Sequence, residues 1–340
     1  MTIAQLVNKI RNRLWYYVCH YTENKKIHPY LYRSFWHYKL TPENQQINDT
    51  CYFSARPNPS AGIGHQMANW ITGYWFARQF GLKFAHIPFS TKKWDDFLGL
   101  GEEETTVEEL VKTGYKIRKL PLFNQLDPKA VAITKSIVQS YAGKRVVCIT
   151  ELDQNTDEFD EVEQLKQKFH RAASRKNDQL IYSTDSFNIA VHVRRTVVID
   201  GKAIEEDESI RALRWLRNDY YEIVLKQVLK NVKSSKPIAV YLFSEGVQKD
   251  FQEFFQFPNI HLCLDMDAQN TFLHMIYADL LITSKSSFSF IPALMNDAIK
   301  VCPGSFWFDY PDEPKWIVAD DNGAFDEQRL QQVLKNDKMQ

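Results

Sequence analysis

No pair of cysteines in this sequence has the spacing of a metal or redox site. The five cysteines, Cys19, Cys51, Cys148, Cys263 and Cys302, form no CxxC and are odd in number. That argues against a disulfide framework and for a reducing compartment in which thiols serve as small core residues. No apolar run reaches the roughly 18–20 residues that a membrane span requires. Lys9, Arg11 and Arg13 interrupt the beginning of the chain where a signal peptide would carry its apolar core. The expectation is a protein acting on the cytoplasmic side. Charge of either sign is not in excess: Lys plus Arg and Asp plus Glu number 42 each. Bulk charge therefore predicts no nucleic-acid partner, and any grip on an anion must come from a local cluster. The phosphate-binding P-loop is absent. His20, His28, His37, His86, His170, His261 and His274 show no HxxxH or clustered spacing and read as structural.

What is present is enough apolar sequence, 44% of 340 residues, to fill real cores, and a length that favours two domains. Residues 1–50 form a basic, aromatic segment. Through Lys39 it holds Lys9, Arg11, Arg13, Lys25, Lys26, Arg33 and Lys39 against the single acid Glu23. Ile3, Leu6, Val7, Ile10, Leu14, Tyr17 and Val18 recur at helical spacing. Two readings fit: a basic amphipathic helix on an anionic bilayer surface, at the inner membrane face, or a terminal helix packed on its own domain.

From Cys51 the pattern becomes alternating strands and helices. Strands are predicted over 51–55, 84–87 and 145–150, with helices over 66–80, 105–112 and 158–173. The second half repeats this with strands over 188–193, 238–243, 260–264, 279–283 and 299–302, and helices over 220–232, 247–255, 270–277 and 288–295. Strands separated by helices of this length imply parallel βαβ units. The expected architecture is α/β, with two Rossmann-like domains facing across a cleft. Residues 51–175 would form the acceptor-side domain and 186–340 the nucleotide-sugar domain.

In such sheets ligands bind at the carboxyl ends of the strands, and three places there carry chemistry. His192-Val193-Arg194-Arg195-Thr196 turns from an apolar strand to adjacent guanidiniums, whose planar forks suit phosphate oxygens. Adjacent residues in an extended chain point to opposite sides, so only one arginine need reach a ligand. Ser284-Lys285-Ser286-Ser287-Phe288-Ser289 follows a strand and opens a helix, a ready anion site or simple serine capping. Ala61-Gly62-Ile63-Gly64-His65-Gln66 joins a strand to a helix. Paired glycines let its backbone bend and approach a ligand closely, but Met67 stands where GxGxxG needs its third glycine.

Together these sites resemble the fucosyltransferase superfamily of α-1,2-, α-1,6-, nodulation and protein O-fucosyltransferases. Gly62-Ile63-Gly64-His65-Gln66 is similar to the family's Gly-x-Gly-Asn-Gln loop. His192-Val193-Arg194-Arg195 resembles its His-x-Arg-Arg-x-Asp signature, and Ser286-Ser287-Phe288-Ser289 resembles its late serine motif. The resemblance implies a GT-B-type, metal-independent, inverting transferase that moves fucose from GDP-fucose to a glycan hydroxyl. It implies that Arg195 holds the β-phosphate and that His192, Arg194, Ser286, Ser287 and Ser289 line the donor. It also implies that Gly62, Gly64 and Gln66 face the acceptor. The sequence departs from the pattern at Val197, where the signature acid is expected, and at His65, where the loop has asparagine. Candidates for a catalytic base are Asp200, Glu205 and His65.

Two other readings compete. Asp265-Met266-Asp267 is formally a DxD that could hold a divalent cation beside a diphosphate, although Asp267 also suits a helix cap. Loss of the signature acid would also fit a nucleotide-sugar- or glycan-binding protein without catalysis.

Overall fold

The structure, a computed structural model, describes residues 3–22, 25–41, 50–150, 161–195, 197–199, 202–204, 214–306 and 309–337. The chain divides into two compact units that exchange segments: residues 1–57, 69–88 and 103–154 form the first, and 58–68, 89–102 and 155–340 the second. The glycine loop thus packs with the second unit, although it follows the first strand of the first.

The first unit is built on a parallel four-stranded sheet of β1 (Cys51–Ala55), β2 (Lys83–Phe84), β3 (Lys116–Lys119) and β4 (Val146–Thr150), in the order β2-β1-β4-β3. Phe53 pairs with Phe84 on one side and Cys148 on the other. Both central strands are almost wholly buried, which is why they read as apolar runs rather than alternations. On its edge, β3 reads Lys-Ile-Arg-Lys and is largely exposed, so it gives no apolar signal. Around the sheet lie α1 (Ile3–Thr22), α2 (Arg33–Leu40), the later part of α3 (Ile63–Gln79), α5 (Val107–Lys112) and α6 (Pro128–Gln139). Thr106 and Glu109 form a complete capping box at the start of α5. Ser34 on α2 donates to the Lys119 carbonyl at 2.6 Å, and His37 stacks on Tyr141 with centroids 4.0 Å apart. The basic, aromatic segment is therefore anchored through α2.

The second unit carries a parallel six-stranded sheet: β5 (Phe187–His192), β8 (Ile238–Ser244), β9 (Ile260–Leu264), β10 (Leu280–Ile282), β11 (Ile299–Pro303) and β12 (Trp316–Ala319). Its spatial order is β12-β11-β10-β5-β8-β9. From β5 the chain winds outward through β8 to β9. It then returns to the other flank of β5 as β10 and winds outward again through β11 and β12. Ala190 pairs with Tyr241 on one side and Leu281 on the other. The direction of winding reverses between β5 and β10, and the crevice outside the carboxyl ends at such a reversal is where open α/β sheets take ligands.

Helices α7 (Val162–Arg171), α8 (Asn218–Asn231), α9 (Ala268–Tyr277), α10 (Ser287–Met295) and α11 (Glu327–Asp337) accompany this sheet, with α4 (Lys92–Leu98) in the same unit. The core joins Ile189, Val191, Val240, Leu242 and Ile282 to Tyr221, Val224 and Val228 of α8. Two expectations change here. The segment predicted as a helix over 247–255 is a 3₁₀ stretch, Gln248–Gln256, broken by a non-helical Phe251. A short antiparallel hairpin, β6 (Val197–Ile199) with β7 (Lys202–Ile204), follows the two arginines. Among the described residues, no helix is long and apolar enough to cross a membrane.

None of the five cysteines is paired in a disulfide. Cys19, Cys51, Cys148 and Cys302 are buried and Cys263 is half-buried. Burial pushes the Cys302 thiol up to about 12 and Cys263 up to about 11, so both stay protonated at neutral pH.

Candidate functional site

The three motifs meet inside the second unit, at the reversal between β5 and β10. His192 ends β5, and Ser284 follows β10 after Thr283. The His192 Nδ1 and the Ser284 hydroxyl are 2.7 Å apart, so a hydrogen bond closes the crevice floor between the two strands. The ring of His192 also lies against Phe288, with centroids 5.5 Å apart. Burial, with Arg194 and Arg195 adding repulsion, pushes the His192 pKa down to about 3. At neutral pH it is an uncharged strut rather than an acid.

Ser286 is the N-cap of α10. Its hydroxyl accepts from the Phe288 amide at 3.2 Å, and its carbonyl accepts from the Ser289 and Phe290 amides. The Ser289 hydroxyl, fully buried, donates back to the Ser284 and Ser286 carbonyls at 3.3 and 3.2 Å and lies within reach of the Ser284 amide. It therefore fixes the turn, with its hydroxyl engaged within the loop. Capping and the candidate anion site coexist in one loop, in which Ser286 is buried and Ser287 half-buried. Lys285 is directed to Asp321, 3.3 Å away.

The two arginines part company. Arg194 extends an Nη1 hydrogen toward the Ser286 hydroxyl at 3.3 Å, on the α10 N-terminus. Arg195 turns to the opposite side. Its Nη1 donates to the Arg194 carbonyl at 2.9 Å and the Leu216 carbonyl at 3.1 Å, and its Nη2 donates to Asn218 Oδ1. Its guanidinium also sits 5.7 Å from the Trp215 and Phe251 ring centroids. Asn218, the first residue of α8, in turn donates to the Asp250 carbonyl and to Glu253. Arg195 is thus tied into the packing beneath α8, and Arg194 is the guanidinium at the serine loop.

The glycine loop closes the other side. Gly64, in the first turn of α3, lies so near the α10 N-terminus that a Cβ there would stand 2.5 Å from the Ser287 carbonyl carbon and 2.7 Å from the Phe288 amide nitrogen. Only glycine permits that approach. Gly62 caps α3 through its carbonyl, which accepts from the His65 and Gln66 amides. Two helix N-termini, each with a partial positive charge, therefore converge beside Arg194. Gln66 is a latch. Its Nε2 donates to the Ala61 carbonyl at 2.7 Å and to Ser90 Oγ at 2.8 Å, while its Oε1 accepts from the Ser90 amide at 2.8 Å. It is 2% exposed, with both amide atoms engaged in holding the loop.

Asp200 and Glu205 lie outside the described residues, and only the backbone of Val197 is described. Asp267 caps α9, with its carboxylate accepting from Gln269 at 3.2 Å and pairing with Lys93 at 2.7 Å. Asp265 accepts from the Gly246 amide at 3.3 Å. Among the described residues no three His, Cys, Asp or Glu side chains gather as a metal site. A separate small hollow at the carboxyl edge of the first unit's sheet, lined by Trp15, Tyr32, Arg56 and Lys119, holds none of the three motifs. Asn218, which holds Arg195, was missed: it begins an ordinary helix and carries no sequence signal. Ser284 stands inside the quoted serine motif.

No protein-family model and no curated protein matches the sequence. Among solved structures the chain is similar to the fucosyltransferase NodZ from Bradyrhizobium, at 12% identity over 73% of this chain and 94% of that one, with a TM-score of 0.41. It is also similar to POFUT1 in complex with GDP, at 11% identity over 75% and 99%, TM-score 0.46. A third is FUT1 of Arabidopsis thaliana in complex with GDP, at 10% identity over 92% and 80%, TM-score 0.43.

Proposed function

We propose that this protein is a glycosyltransferase that grips the diphosphate of a nucleotide sugar with Arg194, the Ser286 loop and the paired helix N-termini at Gly64 and Ser287. The observation that carries this is the placement of Arg194 beside the N-cap of α10, at the reversal between β5 and β10. A guanidinium and two helix N-termini at one strand-end crevice supply the positive charge that a diphosphate requires. The motif resemblance supports GDP-fucose as the donor and a glycan hydroxyl as the acceptor.

In the reaction, the acceptor oxygen bonds to the anomeric carbon and the carbon–oxygen bond to the β-phosphate breaks. The diphosphate leaves with the electron pair, and the hydroxyl proton passes to a base. Negative charge on the diphosphate grows as the bond breaks, so Arg194 and the helix amides bind the transition state more strongly than the ground state. His192 is buried, bonded to Ser284 and, with its pKa pushed down to about 3, too weakly basic to take the proton; it sets the separation of the two loops. His65, Asp200 and Glu205 are the residues whose single substitution identifies the proton acceptor. Arg195 serves this site by fixing the chain that presents Arg194.

A thermal-shift panel of GDP-fucose, GDP-mannose and UDP-sugars tests the reading, because a ligand bound by the folded state alone raises apparent stability by mass action. A rise with GDP-fucose and GDP supports it. No rise with any member of the panel overturns it.

A further inference from the structure

The sequence left open whether the apolar side of α1 packs on its own domain. The structure divides the helix into two faces. Cys19 and Thr22 are buried and Trp15 half-buried. Cys19 Sγ stands 3.4 Å from the Tyr32 hydroxyl, and Trp15 meets Tyr32 edge-on at 5.4 Å. The face beside it is not covered: Leu6, Val7, Ile10, Leu14, Tyr17, Val18 and Tyr21 are all exposed, Leu14 at 62% and Tyr21 at 74%. At 3.6 residues per turn these seven fall within about 120° of the helix circumference, one continuous stripe.

Basic groups rim that stripe. Lys9, Arg13 and His20 follow one edge and Arg11 the other, all exposed. Lys25 lies over the Tyr21 ring, 3.2 Å from its centroid. Beyond the helix, Ile27, Tyr30, Trp36 and Leu40 add exposed apolar and aromatic surface. Across the first 40 residues, seven Lys or Arg face one acid, whereas the whole chain is neutral.

We propose that α1 lies on an anionic lipid bilayer, with the Leu6–Tyr21 stripe in the acyl boundary and Lys9, Arg11, Arg13 and Lys25 at the headgroups. Charge selects this occupant. A second copy of the chain would bring two basic rims together, whereas a negatively charged surface pairs with all of them. Tyrosine and tryptophan beside the stripe suit the interface, where one end of a side chain is apolar and the other wet. The charges inside the helix keep it on the surface rather than across it. This docking is independent of the sugar-transfer reading.

The test is flotation of the full chain with phosphatidylcholine vesicles, with and without a third of phosphatidylglycerol, at low and high salt. The wild type is expected to float with the anionic vesicles only, and about tenfold more weakly at high salt. Ile10→Asp with Leu14→Asp is expected to lower the partition on the order of 100-fold. Lys9→Glu with Arg13→Glu is expected to abolish the preference for anionic lipid. Both pairs are exposed, so the melting temperature should not change. No binding to either vesicle, equal binding to both, or full binding by the Asp pair overturns the proposal. So does a concentration-dependent dimer that the Asp pair dissociates, which would assign the stripe to a second copy.

Discussion

The backbone of Gly64 touches the backbone of Ser287, and a single methyl group at Gly64 would stand 2.5 Å from the Ser287 carbonyl carbon. The first turns of α3 and α10 are thereby locked together at the crevice where Arg194 ends. Gly64→Ala must push these backbones apart. It is expected to lower unfolding free energy by about 1–3 kcal/mol and to weaken donor binding by displacing the α10 N-terminus. Urea unfolding and a donor titration check both. Wild-type values for each would mean that the two turns do not depend on this contact.

Gln66 supports the same loop from behind. Gln66→Leu leaves the Ala61 carbonyl and the Ser90 amide without their partner. The expected cost is about 1–3 kcal/mol of stability. Gln66→Glu keeps the oxygen that accepts from Ser90 and loses both donated bonds, so it should fall between wild type and Leu. Chemical denaturation of the three proteins ranks them.

The sequence placed the motifs at strand ends, and the resemblance assigned the phosphate to Arg195, whereas the structure brings Arg194 to the serine loop and ties Arg195 to Leu216 and Asn218. Strand-end motifs were legible because the central strands of a doubly covered parallel sheet are continuous apolar runs, and His192 and Ser284 stand where two of those runs stop. Adjacent residues on an extended chain point to opposite sides, so choosing between Arg194 and Arg195 required the position of α8, whose Asn218 holds the second. The edge strand Lys116–Lys119 and the outer helix α11 were missed for a related reason: each has a solvated face, so polar residues break up the apolar signal. β12, the unbroken apolar run Trp316–Ala319, was legible and went unread. Likewise, α6 had legible signals in Asp127 as N-cap and Pro128 at the first helical position. The glycine loop was read as approaching a ligand closely; the structure instead sets the Gly64 backbone against Ser287 of α10, a partner fixed by tertiary packing.

Arg195 and Arg194 should therefore fail differently. Arg195→Ala removes the donors to Leu216 and Asn218 and is expected to cost about 1–3 kcal/mol of stability. Arg194→Ala should leave the unfolding curve near wild type and lower kcat on the order of 10²–10³. Thermal unfolding beside steady-state kinetics separates the two. An Arg195→Ala protein as stable as wild type but inactive would reverse the assignment.

The depressed His192 pKa has a pH signature. Between about 3, its folded value, and about 6.5, its usual value, the unfolded chain binds a proton that the folded chain refuses. The stability owed to neutral His192 is complete above pH 6.5 and is lost as pH falls toward 3. His37 and His274 are also depressed by burial and act in the same direction. His192→Asn should therefore flatten the slope of unfolding free energy against pH in that window without removing it. An unchanged slope would show that His192 is not held neutral.

Calorimetric titration of GDP into the wild type and into Arg194→Ala tests the central claim most directly. The account predicts measurable binding by the wild type and a loss of affinity on the order of 100-fold in the variant, since a charge-assisted contact to phosphate contributes about 1.5–3 kcal/mol. Identical isotherms would contradict it.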